Sequence, residues 1–230
     1  MTLKEILDSL RLGLATPSRI KPTHISELDV IAARHYRDTQ SPTLTLAGRS
    51  LPLIYKIVST LVSAPWRYAV LVVDVDGSFD ATRLTLSCGD DDLAHVYVQR
   101  PDENDYGDEE DDADSIRELV VSAQRFMLYN ASASLSRHWW GTVVVGGGSR
   151  SGGLAGLVDI VAGFNGWLRI EREPVVAPCP PGLDLAEALA RREERQRLVD
   201  AAAWVASSSW GDFVFSESGG VMKRPAVEGS

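Results

Sequence analysis

The sequence predicts an α/β protein in which a mostly parallel β-sheet is covered by helices on both faces. Apolar segments of strand length alternate with segments of helical periodicity, an order that is typical of such a sheet. Two predicted strands, at residues 69–75 and 139–148, are nearly continuously apolar, so both of their faces are expected to be buried. A chain of 230 residues is long enough to form this core.

The N-terminal part of the chain is predicted to be helical. Residues 2–14 have apolar side chains at helical spacing, and residues 24–37 predict a short second helix after a proline-containing linker. We therefore assign residues 1–40 to a helical N-terminal lead-in and residues 41–230 to a core domain.

The core elements follow from the spacing of apolar residues and from the glycines and prolines between them. Strands are predicted at residues 42–48, 69–75, 95–101, 139–148, 166–173 and 211–218, whereas residues 160–164 fit either a strand or a helix. Helices are predicted at residues 53–62, 115–129 and 183–206.

Ligands of a mostly parallel sheet bind at the carboxyl ends of its strands, in the loops that lead into helices. The strand ends with candidate residues are Gly48, Asp74 with Asp76, Arg100, and residues 146–148.

Charge and cysteine content exclude several classes of protein. The formal charge is −9, but residues 102–114 hold nine of the 32 acidic residues and no basic one, so the other acidic residues equal the 23 basic residues in number. This acidic run predicts a solvated loop. Two distant cysteines fit neither a disulfide scaffold nor a zinc site, and no metal site is expected. No apolar run has the length of a membrane span, so no membrane association is expected.

Two carboxylates end the apolar strand in "LVVDVDGSF", at Asp74 and Asp76. This segment resembles the nucleophile motif of haloacid-dehalogenase-type phosphatases, in which the first Asp attacks phosphorus and the second acts as acid and base, with Mg²⁺ present. That mechanism also needs a downstream lysine, and none occurs between Lys56 and Lys223. The simpler interpretation is that both residues only cap the strand and its turn.

A second resemblance covers about residues 41–150. The order of a strand, Gly48, a helix and an apolar strand ending in "DVDGSFDATRL" resembles the eukaryotic RecA-type recombinase paralogues, most specifically at residues 69–84. The resemblance implies a RecA-like fold and assembly with other recombinase paralogue subunits. It also implies a nuclear protein that supports homologous-recombination DNA repair and meets DNA mainly through the complex. The alternative with the same fold is an inactive RecA-like scaffold of another complex, such as Elongator.

Active members of this family bind nucleotide with a P-loop, G-x-x-x-x-G-K-[ST], whose lysine and backbone N–H groups hold the phosphates. The matching window here is "GRSLPLIY", in which apolar or aromatic residues replace Gly-Lys-Thr and Pro52 lacks an N–H. Gly146 stands where the magnesium-site strand has an acidic residue. We therefore predict a degenerate ATPase without catalytic residues, without a cofactor and without firm ATP binding. Its vestigial nucleotide site comprises Gly48, Leu53, Ile54, Tyr55, Asp74 and Asp76.

Three further residues are candidates for binding. Arg150 lies in the glycine-rich segment at residues 146–153 and is a candidate for contact with DNA phosphates, although the segment also fits a plain flexible connector. Trp139 and Trp140 open a predicted strand, and an exposed tryptophan is a candidate for partner binding. Core packing is the alternative for both.

Overall fold

The computed structural model describes residues 20–101, 112–130, 132–148, 153–154, 156–174, 189, 192, 196–197 and 202–216. Its strands are Leu44–Gly48 (β1), Ala69–Asp74 (β2), Val96–Gln99 (β3), Trp139–Val145 (β4), Ile160–Ala162 (β5), Leu168–Arg172 (β6), Trp204–Ser208 (β7) and Gly211–Phe215 (β8). Its α-helices with defined ends are Ser26–Thr39 (α1), Leu51–Val62 (α2), Asp90–Leu93 (α3) and Asp112–Tyr129 (α4). A 3-10 helix, Ala81–Leu86, follows β2.

The eight strands form one sheet in the order β3-β2-β4-β5-β1-β6-β7-β8. Strand β7 is antiparallel to β6 and to β8, and the other neighbouring pairs are parallel. These observations confirm the predicted fold class, a RecA-like mostly parallel sheet flanked by helices. No helix in the described ranges is long and apolar enough to span a membrane.

Both faces of the sheet are buried at its central strands β2, β4 and β5, which explains why β2 and β4 are continuously apolar. Along β2, Val70 and Val72 belong to a cluster with α1 and α2, whereas Leu71 and Val73 belong to a second cluster with α4. All six residues of β2 are buried. Because side chains alternate between the two faces of a strand, only a strand that is apolar at every position can fill both cores.

Helix α1 lies in the predicted lead-in and packs against the sheet. Leu28 and Ile31 are buried in the same cluster as the strands. The imidazole of His35 stacks on the indole of Trp167 at a centroid distance of 4.1 Å and meets Trp210 edge-on at 4.6 Å. This helix is therefore part of the main hydrophobic core.

Most predicted core elements are confirmed with small shifts of their ends, but the predicted helix at residues 183–206 is wrong at its C-terminal end. Trp204–Ser208 is a strand that pairs with β6 on one side and β8 on the other. The alanines before Trp204 favour a helix locally, and sheet pairing with burial of Trp204 and Ala206 overrides that preference. The ambiguous residues 160–164 include β5. The helix predicted at residues 2–14 lies outside the described residues.

Stability should fall in mild acid because of His35. The side chain is 4% exposed, and burial lowers its pKa in the folded protein below the ordinary value. The unfolded chain, with a histidine pKa of about 6.5, then binds more protons, so the free energy of unfolding decreases as the pH falls through about 6.5. Urea unfolding between pH 8 and pH 5 should show this decrease, and His35→Phe should make it smaller. An unchanged pH dependence in His35→Phe would contradict the assignment. His95, whose pKa is also lowered by burial, should account for part of the remaining slope.

Candidate functional site

A cavity of about 960 Å³ opens at the carboxyl edge of the sheet. It lies at the ends of β1, β4 and β5 and beside the N-terminus of α2, where a mostly parallel sheet is expected to bind its ligand. Three arginines and one carboxylate contribute to its lining: Arg49, Arg83, Arg172 and Asp76.

The turn between β1 and α2 is too short to form a P-loop. Only Arg49 and Ser50 separate the strand from the helix. The N–H of Arg49 donates to the carbonyl of Ile170 in β6 at 2.9 Å. The N–H groups of Leu53 and Ile54 donate to the carbonyl of Ser50 at 3.0 and 3.1 Å. These backbone donors, which a P-loop would direct at phosphate, are therefore used within the chain.

Gly48 is needed for the packing of the sheet. Its φ is +76°, a left-handed conformation that favours glycine. A Cβ at this position would also approach the carbonyl oxygen of Ile170 to 2.5 Å. The backbone conformation and the close approach to Ile170 therefore explain the glycine at the end of β1, without a role in phosphate binding.

The residues at the Gly-Lys-Thr positions pack in the core. Leu53 and Ile54 are 0% exposed. Tyr55 is buried, its ring stacks on Phe79 at a centroid distance of 5.1 Å, and its hydroxyl accepts a hydrogen bond from the N–H of Asp80 at 2.9 Å. Leu53, Ile54 and Tyr55 are absent from the lining of the cavity. Tyr55 therefore supports the turn after β2 and does not fill the cavity.

Asp74 is fully buried and holds the turn that follows β2. Its Oδ1 accepts from the N–H of Ser78 at 2.9 Å, and its Oδ2 accepts from the N–H of Phe79 at 3.1 Å. The Nε of Arg100 donates to the same Oδ2 at 2.9 Å, and Nη2 of Arg100 donates to the carbonyl of Phe79 at 2.8 Å. Because both oxygens are engaged by donors and shielded from solvent, the carboxylate has a structural role and is poorly placed to attack a substrate.

Asp76 lies at the cavity, in direct contact with the end of β4. Its Oδ1 accepts from the N–H of Gly147 at 3.0 Å. Gly146 has a φ of +89°, and a Cβ at this position would overlap the Asp76 carboxylate. Asp76 thus occupies the space beside β4 into which a side chain at position 146 would extend. No spacing in the sequence links these two positions, and only the pairing of β2 with β4 brings them together.

The two tryptophans of β4 differ in exposure. Trp140 is 6% exposed, and its indole N–H donates to the carbonyl of Pro22 at 2.9 Å. This burial corrects the assignment of Trp140 as a candidate for partner binding. Trp139 is partly buried, and its indole N–H donates to the carbonyl of Gly141 at 2.8 Å. Arg150, the candidate for DNA contact, lies outside the described residues.

Sequence reasoning missed most of the cationic lining. Arg49, Arg83 and Arg172 are far apart in the chain and meet only where β1, β6 and the segment after β2 converge. The one available signal was the position of Arg49, directly after the glycine that ends β1.

In the part of the chain that the structure describes, no group of three or more His, Cys, Asp or Glu side chains is placed to hold a metal ion. No protein-family model matches the sequence, and the comparison with curated proteins gives no significant match. A functional proposal must therefore be based on the fold, the motif at residues 69–84 and the chemistry of the cavity.

Replacing Asp74 should destabilise the protein much more than replacing Asp76. In Asp74→Asn the buried side chain loses its charge and can no longer accept from all three donors, which should lower the free energy of unfolding by about 2–3 kcal/mol. Asp76→Asn, at an exposed position, should cost less than about 1 kcal/mol. Urea unfolding at pH 7 measures both values. Equal effects of the two substitutions would be inconsistent with the structural role of Asp74.

Asp76 and Gly146 should be energetically coupled. Gly146→Ala introduces a Cβ against the Asp76 carboxylate and also strains the backbone. Asp76→Ala should remove the steric part of this cost, so the double variant should be more stable than the sum of the single effects by about 1 kcal/mol. A double-mutant cycle by urea unfolding provides the measurement. Strict additivity would show that the two positions do not contact each other.

Proposed function

We propose that this protein is a non-catalytic RecA-like subunit that assembles with related recombinase paralogues and supports homologous-recombination DNA repair. The observation that carries the proposal is the β1–α2 turn, whose backbone donors are used within the chain. Phosphoryl transfer depends on a positioned lysine, backbone N–H groups and Mg²⁺ around the phosphates. In this chain Leu53, Ile54 and Tyr55 stand at the Gly-Lys-Thr positions of the P-loop motif, and their side chains pack in the core. The cavity thus lies where a RecA-like protein would bind its nucleotide, but the β1–α2 turn beside it is not a phosphate-binding loop.

The motif at residues 69–84 supports the proposal through its structural role. It contains β2, the turn held by Asp74 and most of the following 3-10 helix. Phe79 and Leu84 are almost fully buried, at 0% and 1% exposure. Asp74, Phe79 and Leu84, which belong to the segment that carries the resemblance, are therefore positions at which the fold limits the choice of residue.

The phosphatase alternative is disfavoured by the surroundings of Asp74. A nucleophilic carboxylate must reach the substrate, whereas Asp74 is 0% exposed and is bonded to Ser78, Phe79 and Arg100. An inactive scaffold of an Elongator-like complex has the same fold as the proposed function, and the identity of the partners distinguishes the two.

The purified protein should show negligible ATP hydrolysis, because Leu53, Ile54 and Tyr55 stand at the Gly-Lys-Thr positions and the N–H groups of Arg49, Leu53 and Ile54 donate within the chain. Phosphate release from ATP, with Mg²⁺ and with EDTA, should equal the buffer background. Asp76→Asn serves as the cavity variant that separates intrinsic turnover from a contaminant. Mg²⁺-dependent turnover in the native chain that disappears in Asp76→Asn would refute the non-catalytic assignment.

Affinity purification of the tagged chain from its own cells should recover RecA-type recombinase subunits, identified by mass spectrometry. Their presence in the nuclear fraction and binding of the recovered complex to DNA are expected. Recovery of tRNA-modification subunits instead would favour the Elongator-like scaffold. Mg²⁺-dependent hydrolysis of p-nitrophenyl phosphate that is abolished by Asp74→Asn, with the variant still folded, would favour the phosphatase.

A further inference from the structure

Exposed apolar side chains are concentrated at the amino edge of the sheet, at which the parallel strands begin. Helix α4 follows β3 and precedes β4, so its C-terminus lies at this edge. Four of the ten large apolar side chains that are exposed among the described residues occur within residues 126–135. Tyr129 and Leu135 are the most exposed of the four, at 81% and 87%. Single exposed apolar residues are common on protein surfaces, whereas a cluster of them is typical of a surface that another element covers.

Contacts with β3 place three of these side chains on one surface, the amino-edge patch, which consists of Phe126, Tyr129 and Leu135. The ring of Phe126 lies 5.8 Å from that of Tyr97 in β3. The hydroxyl of Tyr97 lies 2.8 Å from Oγ of Ser134, the residue before Leu135. Tyr129 follows Phe126 by three residues in α4, so the two side chains are neighbours on the helix surface. The patch therefore lies beside the edge strand β3.

The N-terminal part of the chain approaches the sheet at the same edge. The carbonyl of Pro22 accepts a hydrogen bond from the indole N–H of Trp140, at the start of β4, at 2.9 Å. Nζ of Lys21 lies 3.0 Å from Oδ1 of Asp159, just before β5. Strand β3 is two positions from β4 in the sheet, a distance of about 10 Å. Residues 15–19 can span about 17 Å when extended, so the residues before them can reach the patch.

The helix predicted at residues 2–14 has an apolar stripe that requires such a surface. The stripe consists of Leu3, Ile6, Leu7, Leu10 and Leu14. A helix of this length is only marginally stable in water unless its apolar face packs against another element. A segment joined to the sheet by a five-residue linker has an effective concentration of roughly millimolar at the patch. This tethering favours the chain's own segment over a separate protein of similar apolar chemistry.

We infer that residues 2–14 form a helix that packs with its apolar stripe on the amino-edge patch of the same chain. The polar side chains of the opposite face, among them Glu5 and Asp8, remain in solvent. The inference goes beyond the proposed function and does not depend on it, because it concerns contacts within one chain. It assigns the amino-edge patch to the N-terminal lead-in, so partner subunits are expected to bind elsewhere.

Photo-crosslinking tests which segment contacts the patch. The full chain is purified with p-benzoylphenylalanine in place of Tyr129, and isotopically labelled and unlabelled chains are mixed before irradiation and mass spectrometry. Phe164, which is 80% exposed and lies at the carboxyl edge, is the matched control position. We expect crosslinks to residues 2–14 of the same chain from position 129 and not from position 164. Crosslinks that mainly join labelled to unlabelled chains, or none to residues 2–14, would overturn the inference.

Hydrogen exchange tests the contribution of the apolar stripe. The amides of residues 2–14 should be protected in the native chain, and Leu7→Gln should speed their exchange about tenfold because a buried leucine is lost. Leu135→Gln, on the patch, should have the same effect. The matched controls are Asp8→Gln, on the polar face, and Leu86→Gln, at an 86% exposed position of the 3-10 helix, and both should leave the exchange unchanged.

Exchange of the amides of β2 in the same samples shows whether each variant is folded. Unprotected amides at residues 2–14 of the native chain would refute the docked helix. Equal effects of Leu135→Gln and Leu86→Gln would show that the patch is not the surface that the helix covers.

Both experiments use the purified chain alone, so failure of the inference and failure of the proposed function are distinguishable. A docked helix in a chain that recovers no recombinase subunit from cells would support the inference and refute the proposed function. Recovery of recombinase subunits by a chain whose residues 2–14 are unprotected would do the reverse.

Discussion

Burial of the central strands β2, β4 and β5 on both faces is the constraint on which the rest of the structure depends. The strands β2 and β4 place alternate side chains in two separate hydrophobic clusters, one beneath α1 and α2 and the other beneath α4. Each fully buried Val or Leu side chain contributes about 1.5–3 kcal/mol, so a polar residue in the middle of such a strand would be costly. In β2, the one polar side chain is therefore that of Asp74, at the carboxyl end of the strand.

Asp74 stabilises the turn after β2 at the carboxyl edge of the sheet. It ends β2, is fully buried, and is stabilised by two backbone N–H groups and by Arg100 from the end of β3. A buried carboxylate without such donors would be strongly unfavourable. The same contacts that stabilise the turn also remove Asp74 from any role as a nucleophile. The segment that resembles a catalytic motif, residues 69–84, thus has a structural role. It positions Asp76 and the 3-10 helix beside the cavity.

The fold determines where the cavity lies, whereas the residues that line it determine what it can bind. The fold creates a crevice where the chain leaves β1 and turns into α2, whichever residues line it. In this protein the turn is short, and the N–H groups of Arg49, Leu53 and Ile54 donate within the chain, so these groups do not form a phosphate-binding loop. Arg49 and Phe164 are among the residues that line the crevice.

The sequence by itself determined the fold class and showed that the segment after β1 does not match the P-loop motif, because both depend on local patterns. Apolar periodicity placed β1, β2 and β4, and the replacement of Gly-Lys-Thr is visible at Leu53, Ile54 and Tyr55. The tertiary structure alone decided that Trp204–Ser208 is a strand, that Trp140 is buried, and that Asp76 occupies the space beside Gly146. It also decided that Arg49, Arg83 and Arg172 line one cavity. These features depend on contacts between residues distant in the chain, and the energies of such contacts are set by strand pairing and burial, which no local pattern records.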